Sequence, residues 1–116
     1  MTNIQIFGVR KSQATRAAER FFKERRVTIQ MVDLDKKPIS AREIRRFVDH
    51  FGWTGLMDVE GKAYVETGLK YLMLSESELT ARIEQNALLL RLPLVRSGHL
   101  LSVGHDEASW KAMLTG

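Results

Sequence analysis

The chain has 116 residues, a hydrophobic fraction of 44%, a charged fraction of 28%, a formal net charge of +4 and no cysteine. This length suits one domain (1–116) with its own core, and the lack of cysteine excludes thiol nucleophiles, disulfide exchange and thiolate metal sites. The histidines have no metal-ligand spacing, and no apolar run reaches the ~18 residues of a membrane span. The first residues do not resemble a signal peptide, so we expect a cytoplasmic protein with no metal site and no membrane contact.

The first third of the chain has the pattern of a strand, a helix and a second strand. Residues 3–7 and 27–33 are rich in β-forming side chains and alternate partly between apolar and polar. Between them, the apolar residues recur at helical spacing from Ala14 to Phe22. The pattern predicts a right-handed βαβ unit with parallel strands.

The middle of the chain is predicted to be helical. Capping boxes at Ser40–Glu43 and Ser75–Glu78 each precede an apolar stripe. We expect the first of these helices to end at Gly52 and the second to continue through Leu90. Between them, 54–74 is expected to form one or two short helices.

The last quarter predicts a hairpin and a final helix. Two β-rich runs, 94–96 and 99–103, flank a turn placed at Ser97-Gly98. Asp106 is expected to cap the last helix.

These blocks resemble the arsenate reductase (ArsC)/Spx family, including its YffB-like branch. The resemblance lies in "IQIFGVRKSQATR", "VDLDKKPISAREIRRFVDHFGW", "GLMDVEGKAYVETGL" and "LLLRLPLVRSGHLLSVG", which occur in this order. It implies an α/β, thioredoxin-like fold with a mixed four-stranded sheet and a helical insertion at about 40–90.

The reductases of this family use a cysteine thiolate and arginines that grip the oxyanion. By resemblance, Ser12 occupies the cysteine position and Arg16 the arginine four residues later. Asp58 and Leu92 stand where two further arginines are expected, and the region of Val103 and Gly104 replaces a later Arg-Pro pair. Because the cycle needs sulfur redox change as well as a nucleophile, the resemblance implies that reductase activity is absent.

Ser12 has two compatible interpretations. A serine between a strand and a helix is a favourable N-cap. The same helix start, with Arg10, Lys11 and Arg16 nearby, could bind a small anion or glutathione. Nucleophilic catalysis by Ser12 would need a base, and its loop contains no His, Asp or Glu.

Pro93 completes the set of candidate ligand-binding residues. In thioredoxin-like folds a cis proline lies beside the active loop and contacts glutathione or peptide backbone, so the resemblance implies such a role here. The residues alone leave open whether the Leu92-Pro93 bond is cis or trans.

Basic residues on the first two long helices are interspersed with acidic ones, which favours solvated faces. Interleaved aromatic residues are missing, which argues against direct nucleic-acid binding. Trp53 and Tyr64 flank the insertion, and the sequence leaves open whether they form a partner surface or pack internally.

Two functions remain open. The first is a non-catalytic binding or regulatory protein whose partner, by analogy with Spx, is the RNA polymerase α subunit. The second is a glutathione- or oxyanion-binding protein similar to arsenate reductase with residual enzyme chemistry. Neither requires a bound cofactor, although the second would use glutathione.

Overall fold

The computed structural model describes residues 3–115, leaving aside the side chain of Lys70. These residues form a mixed four-stranded sheet and five α-helices. The strands are β1 (Ile4–Gly8), β2 (Ile29–Asp33), β3 (Leu94–Ser97) and β4 (Leu100–Val103). The helices are α1 (Gln13–Glu24), α2 (Ala41–Leu56), α3 (Lys62–Glu66), α4 (Glu76–Gln85) and α5 (Glu107–Thr115), and short 3₁₀ turns cover Leu69–Tyr71 and Ala87–Leu89.

The sheet has the order β2-β1-β3-β4. β1 and β2 are parallel with Ile4 opposite Ile29, as the βαβ pattern predicts, whereas β3 is antiparallel to both β1 and β4. The fold is therefore the α/β, thioredoxin-like one that the sequence predicts. The described residues divide into two compact units, one formed by 3–37 and 92–115 and the other by 38–91.

The first unit has its core on one face of the sheet. Ile4 and Ile6 of β1 are fully buried there with Phe21 and Phe22 of α1 and Trp110 of α5. The Phe21 and Trp110 rings lie 5.5 Å apart in a tilted arrangement. Aromatic side chains bury large apolar areas, so these three rings hold α1 and α5 on this face.

The second unit is helical, and its long helix breaks at Gly52, where the sequence predicts an end. Gly52 has φ 75° and ψ 166°, which are not helical angles, and a further short helical segment then continues α2 to Leu56. A positive φ is readily adopted by glycine, so Gly52 interrupts the helix without steric cost.

The helix that begins at the Ser75–Glu78 capping box ends earlier than predicted. The capping box is present, but α4 stops at Gln85 rather than at Leu90. Asn86 has φ −148°, and its side-chain oxygen accepts the Leu88 N–H at 3.1 Å. Asparagine often competes with helical hydrogen bonding in this way, and here it starts a separate 3₁₀ turn.

The hairpin turn also lies one residue later than predicted. Ser97 pairs with Leu100, so the loop residues are Gly98 and His99. Gly98 has φ 61°, a conformation that two-residue hairpin loops require and that glycine adopts most easily. Asp106 caps α5 as expected, because its Oδ1 accepts the Ser109 N–H at 3.1 Å.

Candidate anion-binding loop and adjacent groove

The loop between β1 and α1 is held by a serine cap. Ser12 has extended backbone angles, and its Oγ accepts the Thr15 N–H at 3.1 Å. Its own N–H donates to the Val9 carbonyl at 3.1 Å, which closes the turn. The structure therefore confirms the N-cap interpretation of Ser12.

Gly8, the last residue of β1, lies directly against the first turn of α1. A Cβ at this position would collide with the Thr15 side chain. Thr15 is 2% exposed, and its Oγ1 has no hydrogen-bond partner within residues 3–115. This close approach sets the first turn of α1 directly against the end of the strand.

The basic residues of the loop are partly engaged within the protein. Arg16 Nη1 donates to the Arg10 carbonyl oxygen at 2.6 Å, and so ties the first turn of α1 to the loop. Arg10 Nε lies 3.7 Å from Asp33 Oδ2 at the end of β2. Lys11 is exposed. Arg10 and Arg16 thus each have a contact within the protein, while the side chains of all three basic residues stay exposed.

Pro93 lies at the same end of the sheet as the loop. Phe7 pairs with Leu94, so the residue before Leu94 adjoins the end of β1. The Leu92-Pro93 peptide bond is cis, and the Pro93 carbonyl accepts the Gly104 N–H at 2.9 Å. Pro93 is buried, and Leu92 before it is 9% exposed.

The structure divides the five predicted binding residues into two groups. Arg10 and Arg16 line a groove of about 770 Å³ along α1 and β2, whereas Lys11, Ser12 and Pro93 are absent from its lining. The groove also contains Lys23, Lys36 and Lys37. We call it the β2 groove. The sequence analysis did not single out Lys36 and Lys37, although two adjacent lysines three residues after the end of a predicted strand were the available signal.

The remaining positions expected to carry family arginines have structural roles of their own. In the helical unit, the Asp58 N–H donates to the Leu89 carbonyl, and the Asp58 carbonyl accepts the Gly61 N–H at 2.9 Å. In the sheet unit, Val103 pairs with Leu94, and Gly104 has φ 72°.

The helical unit has a polar cluster that includes Trp53. Glu76 accepts hydrogen bonds from Trp53 Nε1 at 3.2 Å and from Arg45 Nη1 at 3.0 Å. Arg45 also pairs with Asp49 at 2.9 Å. The Trp53 hydrogen bond, followed by that from Arg45, holds the pKa of Glu76 below its usual value. Trp53 and Tyr64 are both half-buried, and the indole of Trp53 joins α2 to α4.

The described residues contain no group of three or more histidine, aspartate or glutamate side chains placed to hold a metal ion. Within the same part of the chain, no helix is long and apolar enough to cross a membrane.

The comparisons with known proteins decide the family. The model of the ArsC family matches residues 7–113. The chain belongs to the ArsC family. No curated protein matches its sequence.

Solved structures of the ArsC type share the fold at low sequence identity. A YffB protein superposes with a TM-score of 0.80 at 17% identity, covering 96% of this chain and 98% of its own. An arsenate reductase from Vibrio cholerae gives 0.76 at 19% identity and covers 97% of both chains. A possible arsenate reductase from Streptococcus mutans gives 0.78 at 20% identity, with 97% and 98% covered. Ser12 is thus the N-cap of α1 in an ArsC-family chain that contains no cysteine.

Proposed function

We propose that this chain is a non-catalytic member of the ArsC family and acts by binding a protein partner. The observation that carries the proposal is Ser12, whose Oγ is engaged as the helix cap in a chain without cysteine. A serine hydroxyl does not cycle between thiol and disulfide, so it cannot complete a glutathione-dependent reduction. The RNA polymerase α subunit is the first partner to test, by analogy with Spx.

The engagement of Arg16 supports the same proposal. A guanidinium that grips an oxyanion must point its N–H groups at the ligand. Here Arg16 donates to the Arg10 carbonyl at 2.6 Å, and Arg10 faces Asp33. Arg16 therefore spends one of its N–H groups within the protein, and an oxyanion at the loop would meet only the N–H groups that remain.

The test is an NMR amide-shift titration of the full chain with glutathione, sulfate and arsenate. We expect no saturable shifts from Gly8 to Arg16 at millimolar ligand, and no arsenate reduction with glutathione and glutaredoxin. Saturable shifts there that weaken in Arg16→Ala would instead support the glutathione- or oxyanion-binding alternative.

The matched control is Arg20→Ala. Arg20 is an exposed arginine one helical turn beyond Arg16, and it does not line the β2 groove. If both variants weaken binding equally, the effect is one of net charge and not of the loop. A binding assay with the purified RNA polymerase α subunit, run on the same variants, then measures directly whether the chain binds this protein.

A further inference from the structure

β2 lies at an open edge of the sheet. It pairs with β1 on one side, and it is the terminal strand of the order β2-β1-β3-β4. The Leu34 N–H donates to the Gly8 carbonyl at 2.8 Å, so the backbone groups of Leu34 point towards β1. Backbone groups alternate in direction along a parallel strand, so those of Gln30 and Val32 point towards β1 as well. The backbone groups of Ile29, Met31 and Asp33 therefore point away from the sheet.

Most of these outward groups have no backbone partner among the described residues. The Asp33 carbonyl accepts the N–H groups of Lys36 and Lys37 at 3.0 and 3.1 Å, which closes the turn after β2. The N–H and C=O of Met31 have no such bond. An edge of this kind is a template for an added strand.

The β2 groove adjoins this edge and is rich in positive charge. Its lining includes the consecutive β2 residues Gln30 to Asp33 and the cationic side chains Arg10, Arg16, Lys23, Lys36 and Lys37. Two of these cations have acidic neighbours: Lys23 pairs with Glu19 at 3.4 Å, and Arg10 with Asp33 at 3.7 Å. Lys36 and Lys37 are exposed and form no ion pair among the described residues. The groove thus presents excess positive charge to whatever occupies it.

The charges that line the β2 groove argue against a second copy of this chain as the occupant. Five cations line the groove, against the two carboxylates of Glu19 and Asp33. Pairing two β2 edges would bring two such grooves together, each with excess positive charge. Like charges across a strand pair destabilise it, whereas an acidic segment would be attracted.

We propose that an extended acidic segment of a partner protein adds to the sheet along β2. Its backbone bonds to Met31, and its carboxylates meet Lys36 and Lys37. This inference rests on the proposed binding function and names the class of partner that the function requires.

The positions of the cations predict the pattern of the segment. Arg16 and Lys23 belong to α1, which packs on the same face of the sheet as Ile4 and Ile6. Side chains of an added strand alternate between the two faces, so acidic residues at every second position would all point towards α1. The intervening positions face the other side of the sheet and need no charge.

The test is an NMR titration of the full chain with a capped synthetic peptide in which glutamate and valine alternate. We expect saturable amide shifts from Ile29 to Lys37 and slower solvent exchange of the Met31 amide. The same peptide with glutamine in place of glutamate should bind at least about tenfold more weakly, because it keeps the backbone contacts and loses the charge.

Two pairs of variants separate the charge from the backbone contribution. Lys36→Glu with Lys37→Glu should abolish saturable binding, whereas Arg20→Glu with Lys111→Glu makes the same change in net charge outside the groove and should retain it. Met31→Pro removes the outward N–H, which an edge strand tolerates, and should weaken binding at least about tenfold relative to Met31→Ala.

Three outcomes would overturn the proposal. The first is the absence of shifts in β2. The second is a set of shifts confined to Lys36 and Lys37 that inorganic phosphate also produces. The third is tighter binding of single-stranded DNA that is indifferent to Met31→Pro. Arsenate turnover or glutathione binding would instead overturn the proposed function, so failure of one is distinguishable from failure of the other.

Discussion

Ser12 stabilises α1 through a single hydrogen bond to the Thr15 N–H. An N-cap oxygen satisfies one of the donors that the first turn of a helix leaves free. We expect Ser12→Ala to lower the free energy of unfolding by about 1 kcal/mol, measured by urea denaturation. Ser12→Asn, which supplies another good cap, should keep most of that stability. Equal losses in both variants would contradict the capping role.

The cap could be predicted from sequence, but the direction of the neighbouring arginines could not. A serine between a β-rich run and an apolar helical stripe indicates a helix start on local grounds alone. The Arg16 contact with the Arg10 carbonyl depends on how the loop folds back, and the Arg10–Asp33 pair depends on where β2 ends. Neither contact can therefore be predicted from the residues next to Arg10 and Arg16 in the sequence.

At the scale of elements, the hydrogen bonds of Glu76 join α2 to α4 and predict a pH dependence. Because its pKa lies below the usual value of 4.5, Glu76 contributes stability above that pH and loses it as the pH falls through the lowered pKa. We expect Glu76→Gln to lower the melting temperature by a few degrees at most at neutral pH, since the cluster is exposed. The difference from the wild type should vanish in acid.

Thermal melts of both proteins across the acidic range check this prediction. The control is Glu84→Gln, which changes an exposed glutamate of the same helix that has no ion pair or hydrogen bond among the described residues. It should leave the melting temperature nearly unchanged at each pH. A Glu76→Gln difference that persists in acid would show that the carboxylate charge is not its source.

The helix starts and the break at Gly52 were predictable, whereas the end of α4 was not, for a physical reason. Serine caps and a glycine after an apolar stripe are local signals, and Ser40 and Ser75 both begin helices where expected. The stop at Asn86 depends on competition between local hydrogen bonds and tertiary packing. Periodicity alone extends through Asn86 because the apolar spacing persists.

For the molecule as a whole, the ArsC family fold is retained without the thiol. We expect Ser12→Cys to yield a protein that reacts with a thiol reagent but does not reduce arsenate with glutathione and glutaredoxin. The reason is that Asp58 and Leu92 stand where the resemblance places gripping arginines. Measurable turnover in this variant would contradict the view that the oxyanion grip has been lost.

The strand order explains why the β2 groove could not be predicted from the sequence. A parallel pairing of β1 with β2 was predictable, but the open edge of β2 depends on β3 joining the other side of β1. That placement is a long-range contact between distant parts of the chain. Lys36 and Lys37 become candidate binding residues only when the strand order shows that the β2 edge beside them is unpaired.

The hydroxyl at the start of α1 also determines how this protein meets thiol-seeking chemicals. Trivalent arsenicals, soft metal ions and peroxides react first with thiolates, and the chain offers none. The first turn of α1 should therefore keep its cap under oxidant or arsenite exposure. Reagents that inactivate thiol-dependent proteins by attacking a thiolate therefore have no such target at the position that this family's reductases use for catalysis.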